Sequence, residues 1–147
     1  MPSSFTYEAE TTVPLSANET FNLFVDAIRY PEWQRALKRV VDLSGSTADP
    51  GTTYVLDHGL GGKVRVTVLD VDKPRLYRLR QQGWRSDATV TVRFVSRSAD
   101  ITNLLYTAEV AATRFSRLLP PPTKLIVKLI NGELDQFRKW IERTQSL

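Results

Sequence analysis

The sequence predicts an α+β domain: a curved antiparallel sheet of about seven strands wrapped around one long C-terminal helix, with two short helices after the first strand. Three observations carry this. Six successive segments between Leu37 and Val110 read as strands, and the turns between them are too short for parallel crossovers. The stretch from Thr123 to about Thr144 carries apolar residues at the 3.6-residue period of a helix. Between an initial strand and that run, Ser16-Ala17-Asn18-Glu19 has the pattern of a capping box.

Each element follows from its residues. In 5–13, Phe5, Tyr7, Ala9, Thr11 and Val13 alternate against Thr6, Glu8, Glu10 and Thr12, a strand with one wet face that Pro14 ends. Phe21, Phe24, Val25 and Ile28 follow the capping box at helical spacing, and Pro31 is expected to close that helix at Tyr30. Pro31-Glu32-Trp33-Gln34 starts a second short turn. Strands are expected at Val40–Leu43, Thr52–His58, Lys63–Val71, Leu76–Gln81, the segment from Ala88 to Val95, and a last one carrying Leu104, Tyr106, Ala108 and Val110 on one face. Asp49-Pro50-Gly51, Gly59-Leu60-Gly61-Gly62 and Asp72-Lys73-Pro74-Arg75 are turn signals between them. The six form a meander that the first strand joins. In the final helix Ile126, Ile130, Leu134, Phe137 and Ile141 make the stripe, widened by Leu125, Leu129 and Trp140. Gly132 within it either leaves space beside the sheet or is a tolerated weakness of about 1 kcal/mol relative to Ala. Pro120-Pro121-Pro122 reads as a stiff approach to this helix.

Composition excludes several classes. At 147 residues the chain suits a single domain, residues 1–147, able to bury roughly two thirds of its unfolded surface. It has no cysteine and one histidine, so thiol chemistry and Cys-ligated metals are out and no metal or cofactor is expected. No apolar run approaches the roughly 20 residues of a membrane span. The opening MPSSFTYEAE is not a secretory signal, which makes the cytoplasm the expected compartment. The formal charge is +4, and the segment 61–97 alone carries +6. That segment could contact an acidic partner or nucleic acid, but its basic residues are spread along strands and several occupy the side opposite the valines, where solvent is the usual neighbour. No specific nucleic-acid partner is expected. A homodimer is compatible with the sequence.

The chemistry-bearing residues are few. His58 is a candidate general base beside Asp57, yet neighbours in a strand point to opposite faces and form no dyad. Asp70 and Asp72 read as a turn, and Gly59–Gly62 as a hairpin connection, because no helix follows it to receive a phosphate. No convincing acid–base pair emerges. A strongly curved sheet cannot be filled by one helix, so a cavity between them is the natural result. If Val64, Val66 and Val68 mark the inner face, Leu79, Gln81, Val90, Val92 and Tyr106 share it. For the strand 52–58, Thr53/Val55/Asp57 alternates as well as Tyr54/Leu56/His58, so its inward face stays open.

In their order and spacing, several motifs carry a resemblance. They are Val13-Pro14-Leu15-Ser16-Ala17-Asn18-Glu19-Thr20-Phe21, Tyr30-Pro31-Glu32-Trp33, Pro50-Gly51-Thr52, Val68-Leu69-Asp70-Val71-Asp72-Lys73-Pro74 and Leu134-Asp135-Gln136-Phe137-Arg138-Lys139-Trp140-Ile141-Glu142. From about Thr6 to Glu142 the chain resembles the START-like or helix-grip (SRPBCC) superfamily, in its polyketide cyclase/dehydrase and lipid-transport grouping. Lys73 departs from it, standing where a first proline is common. The resemblance implies a small hydrophobic ligand, lipid- or polyketide-like, held between sheet and helix. The implied contacts are Trp33, Tyr54, Leu56, His58, Val66, Val68, Leu79, Gln81, Trp84, Val92, Tyr106, Ile126, Ile130 and Phe137. Its alternatives are a cyclase or dehydratase moving protons in that cavity, and an interaction module using the segment 61–97.

Overall fold

The computed structural model describes residues 4–83, 86–112 and 123–145. In order they form β1 (Ser4–Val13), α1 (Ala17–Val25), a 3-10 helix (Ala27–Glu32), β2 (Arg39–Val41), β3 (Thr53–Asp57), a single 3-10 turn (Gly59–Gly61), β4 (Lys63–Asp72), β5 (Leu76–Gln82), β6 (Asp87–Ser98), β7 (Ile101–Ala111) and α2 (Thr123–Gln145). The strands make one antiparallel sheet in the order β1-β7-β6-β5-β4-β3-β2. The expected meander runs from β2 to β7, and β1 joins by pairing Ser4 with Ala111 through to Val13 with Thr102. The register slips between Val68 and Asp70, a bulge that bends and twists β4 as a curved sheet requires. This is the α+β architecture the sequence predicts, with α2 packed on the sheet's inner face.

Ser16 caps the helix as read, the Glu19 amide donating to Ser16 Oγ at 3.2 Å, while the Glu19 carboxylate reaches back to accept from the Ser16 hydroxyl. The helix it starts is shorter than its periodicity suggests. α1 stops at Val25, Asp26 leaves helical geometry, and Pro31 sits inside the 3-10 helix instead of terminating α1. The reason lies in what needs burying. Ala27, Tyr30 and Trp33 are all buried and three residues apart, the spacing at which 3-10 side chains align. Ile28 falls off that row and is 56% exposed. Two further expectations shift. β2 has three residues and leaves Leu43 exposed, and Leu125 on α2 is exposed rather than part of the apolar stripe. The link from β3 to β4 needs Gly59 and Gly62 at φ of 64° and 95°, where side chains are strained. Pro120–Pro122 and Trp84 lie outside the described residues.

Arg78 and Arg80 of the basic segment lie on the outer face. Arg78 pairs with Asp70 at 2.9 Å and Arg80 with Asp87 at 2.7 Å; the β4 bulge does not turn either inward. Asp57, on the same outer side, is buried. It accepts from Arg39 at 2.9 Å and from the Gly59 amide at 2.8 Å, and these contacts hold its carboxyl below the usual range.

Candidate functional site

The inner face divides into a filled half and a hollow half. Under α1, Phe21, Phe24, Phe94 and Phe137 meet edge to face, with Phe24–Phe137 and Phe21–Phe94 centroids both 5.2 Å apart. Trp33 closes on Phe137 at 5.0 Å. Leu134, Phe137, Trp140 and Ile141 of α2 are buried against this cluster. On the rim, the Arg29 guanidinium sits 4.8 Å over the Trp140 ring and pairs with Glu32.

Toward the start of α2 the packing opens into a partly enclosed cavity of about 360 Å³. Its floor is sheet: Tyr7, Tyr54, Leu56, His58, Val64, Leu79, Gln81, Ala88, Val90, Tyr106, Ala108 and Val110. Its roof is Ile126, Leu129, Ile130, Glu133 and Leu134 of α2, and Phe24, Tyr30, Trp33 and Gln34 close one end. The sequence explains why it is hollow here. Where the filled half presents Phe94, Tyr77 and Leu104 inward, the same strands present Ala88, Leu79 and Ala108 at the other end. Nothing on α2 makes up that lost volume, since Ile126 and Ile130 stay only half-buried.

Of the residues read as ligand contacts, Trp33, Tyr54, Leu56, His58, Leu79, Gln81, Tyr106, Ile126 and Ile130 line this cavity. The structure thereby selects the Tyr54/Leu56/His58 face of β3 as the inward one. Val66, Val68, Val92 and Phe137 do not line it. They sit in the filled half at 0–1% exposure, because the aromatic cluster beneath α1 occupies the space over them. Trp84 lies outside the described residues. Sequence reasoning missed Tyr7, Tyr30 and Glu133. Tyr7 shares the inward alternation of β1, and Glu133 stands three residues after Ile130 and seven after Ile126, an acid inside the apolar stripe. Tyr30 had no signal at helical or strand period, only the three-residue spacing of the 3-10 helix.

The cavity is apolar with a few unsatisfied polar groups. Among the described residues, three buried polar atoms have no hydrogen-bond partner: Tyr7 Oη, Trp33 Nε1 and Tyr54 Oη. All three belong to lining residues. Native interiors rarely leave such groups unpaired. Tyr77, one step deeper, is satisfied by donating to the Thr47 carbonyl. Burial pushes the Tyr54 hydroxyl up to about 12, although it lies near enough to Tyr30 and Tyr77 for their hydroxyls to influence it. Tyr30 and Tyr106 are raised too, chiefly by burial, and for Tyr106 also by the neighbouring Glu133 charge. Glu133 itself is exposed and stands at the margin of the cavity it helps to line. Surrounding protein still strips its carboxylate of water, and this desolvation raises its pKa. Among the described residues no three His, Cys, Asp or Glu side chains converge as a metal site would require.

A family model described as polyketide cyclase / dehydrase and lipid transport matches residues 4–142. No curated protein matches the sequence. Among solved structures, a START superfamily protein from Mycobacterium smegmatis superposes with a TM-score of 0.72 at 20% identity, covering 96% of this chain and 97% of that one. Norcoclaurine synthase from Thalictrum flavum, a point mutant in complex with a transition-state analogue, gives 0.72 at 14% identity over 99% of both chains. CalU16 from Micromonospora echinospora gives 0.70 at 13% identity, covering 99% of this chain and 83% of that one. At these identities the likeness is one of fold. Among the described residues no helix is long and apolar enough to cross a membrane.

Proposed function

Since the chain belongs to the polyketide cyclase / dehydrase and lipid transport family, we propose that it binds a small, mainly apolar molecule, lipid- or polyketide-like, between the sheet and α2. The observation that carries this reading is the cavity of about 360 Å³, whose lining residues include the three that carry unpartnered polar atoms. Its volume suits a small ligand. Burial of each 100 Å² of apolar ligand surface would contribute about 2.5 kcal/mol. The polar atoms fix orientation: the Trp33 indole only donates, so the ligand carries at least one acceptor. Titration with a neutral fluorescent probe such as N-phenylnaphthylamine tests it, alongside native mass spectrometry of the purified protein. Saturable one-to-one binding supports the reading. A folded protein that binds no probe and carries no co-purifying mass retires it.

A second reading, a cyclase or dehydratase, is favoured by one observation: Glu133 and Tyr106 both line the cavity, close enough for the Glu133 charge to raise the Tyr106 pKa. A carboxyl with a raised pKa holds its proton to a higher pH than a free one and can pass it to a substrate oxygen. Under this reading Glu133→Gln and Tyr106→Phe lower turnover of a polyketide-like substrate and leave probe affinity unchanged. The cytoplasm remains our proposed compartment. Sequence-specific nucleic-acid binding is not proposed, because Arg78 and Arg80 of the basic segment are engaged by Asp70 and Asp87.

A further inference from the structure

The charge inventory of the cavity is one-sided. Among the described residues lining it, Glu133 is the only acid, and no Lys or Arg accompanies it. No described side chain forms an ion pair or a hydrogen bond with its carboxylate. Six rings line the same cavity, Tyr7, Phe24, Tyr30, Trp33, Tyr54 and Tyr106, and of these Tyr106 lies within reach of the Glu133 charge. Aromatic faces carry negative potential and attract cations, most strongly where water is excluded. A single unpaired carboxylate at the edge of such a chamber is partly desolvated, and an incoming cation would relieve this by a charge-assisted hydrogen bond. An anionic head group would meet a like charge, with no Lys or Arg in the described lining to offset it and His58 as its one imidazole.

We propose that the cavity selects a ligand whose apolar body carries a protonated amine, with the Glu133 carboxylate as its counter-ion and the aromatic rings as its walls. This rests on the ligand-binding reading above and narrows it. Long-chain carboxylates of the fatty-acid type are discriminated against. Neutral alcohols of the same shape bind through burial alone.

The test compares three ligands of matched shape, naphthylethylamine, naphthylethanol and naphthylacetate, by calorimetric titration of the full chain at neutral pH. The amine is expected to bind about tenfold more tightly than the alcohol, and the acetate more weakly than the alcohol. Glu133→Gln, which keeps shape and removes charge, brings the amine down to the alcohol and leaves the alcohol unchanged. Glu133→Lys inverts the order, so that the acetate binds best. Thermal melts of each variant verify that it is folded. An acetate that matches the amine on the parent protein overturns the proposal, as does an amine-to-alcohol ratio that Glu133→Gln leaves intact. In both results the alcohol still binds, so ligand binding itself stands. If a folded parent binds neither the alcohol nor the neutral probe, the proposal and the binding reading fall together.

Discussion

The two halves of α2 lie on the same sheet and meet it differently. From Leu134 to Ile141, every third or fourth residue is buried to 4% exposure or less, against Phe24, Phe94 and Trp33. From Ile126 to Glu133 the same periodicity continues, but Ile126 and Ile130 are half-buried and Leu129 is 63% exposed. Apolar residues recur at helical spacing in both halves. What differs is the opposing side chain on β5, β6 and β7: Tyr77, Phe94 and Leu104 at one end, Leu79, Ala88 and Ala108 at the other. The lesson is that a cavity is built by subtracting volume from the sheet, and the helix need carry no mark of it. It also divides the labour. One half supplies stability, and the other is free to stay unfilled.

The largest expected effect tests the filled half. Phe137, fully buried and ringed by Phe24, Trp33 and Trp140, should cost about 3–5 kcal/mol when replaced by Ala. Ile130→Ala in the hollow half should cost well under half as much. Denaturant melts of both variants measure the contrast. Equal losses would mean that the hollow half is packed as tightly as the other and that the division is false.

A substitution that adds volume sharpens the same contrast. Ile130→Trp puts an indole into the cavity, and there it should change stability by less than about 1 kcal/mol while abolishing uptake of the neutral probe. Val92→Trp, added to a position with no open space, should be overpacked and lose about 1–3 kcal/mol. If Ile130→Trp loses as much as Val92→Trp, the space over the sheet closes in solution.

Much of this was legible in the residues. Alternation at Val64, Val66 and Val68 and at Ala88, Val90, Val92 and Phe94 set which face turns inward, because a strand offers only two. It could not say how far along the strand the helix stops filling that face, so Val66, Val68 and Val92 read the same as Val64 and Val90. Position along a sheet depends on what lies above it, here the aromatic side chains of α1 and the 3-10 helix, and these are distant in sequence. The 3-10 helix itself was hidden for a similar reason. Phe21, Phe24, Val25 and Ile28 fit an α-helical face well, and only the burial of Ala27, Tyr30 and Trp33 shows that the chain tightens its winding. Glu133 was visible but unread: an acid on an apolar stripe carries meaning once the stripe is known to face a cavity.

Gly132 sits at the boundary between the halves. A Cβ built there meets no atom within 4 Å, so the glycine is not needed for close approach to the sheet. Gly132→Ala should therefore stabilise the protein by about 0.5–1 kcal/mol through helix propensity alone, with probe affinity unchanged. Thermal melts and probe titration check both. A loss of probe binding would show that the cavity extends to this position.

The smallest effect has the opposite dependence on pH from most carboxylates in folded proteins. Desolvation raises the Glu133 pKa above its unfolded value of 4.5. The folded state therefore binds the proton more tightly than the unfolded chain, and stability falls as pH rises from the unfolded value through the folded one. Below that window both states are protonated and the residue contributes nothing differential. Above it the ionised carboxylate burdens the fold. Glu133→Gln removes the ionisation and keeps the shape, so it should match the parent near pH 3 and exceed it modestly at pH 7. Asp57 supplies the control, since Arg39 and the Gly59 amide lower its pKa and Asp57→Asn should instead lose stability at pH 7 and recover parity in acid. Melting temperatures of the two variants across pH 3–8 would then diverge from the parent in opposite directions. A Glu133→Gln curve parallel to the parent throughout would mean that water reaches the carboxylate as freely as it does at the surface, and the hollow half would be an open groove.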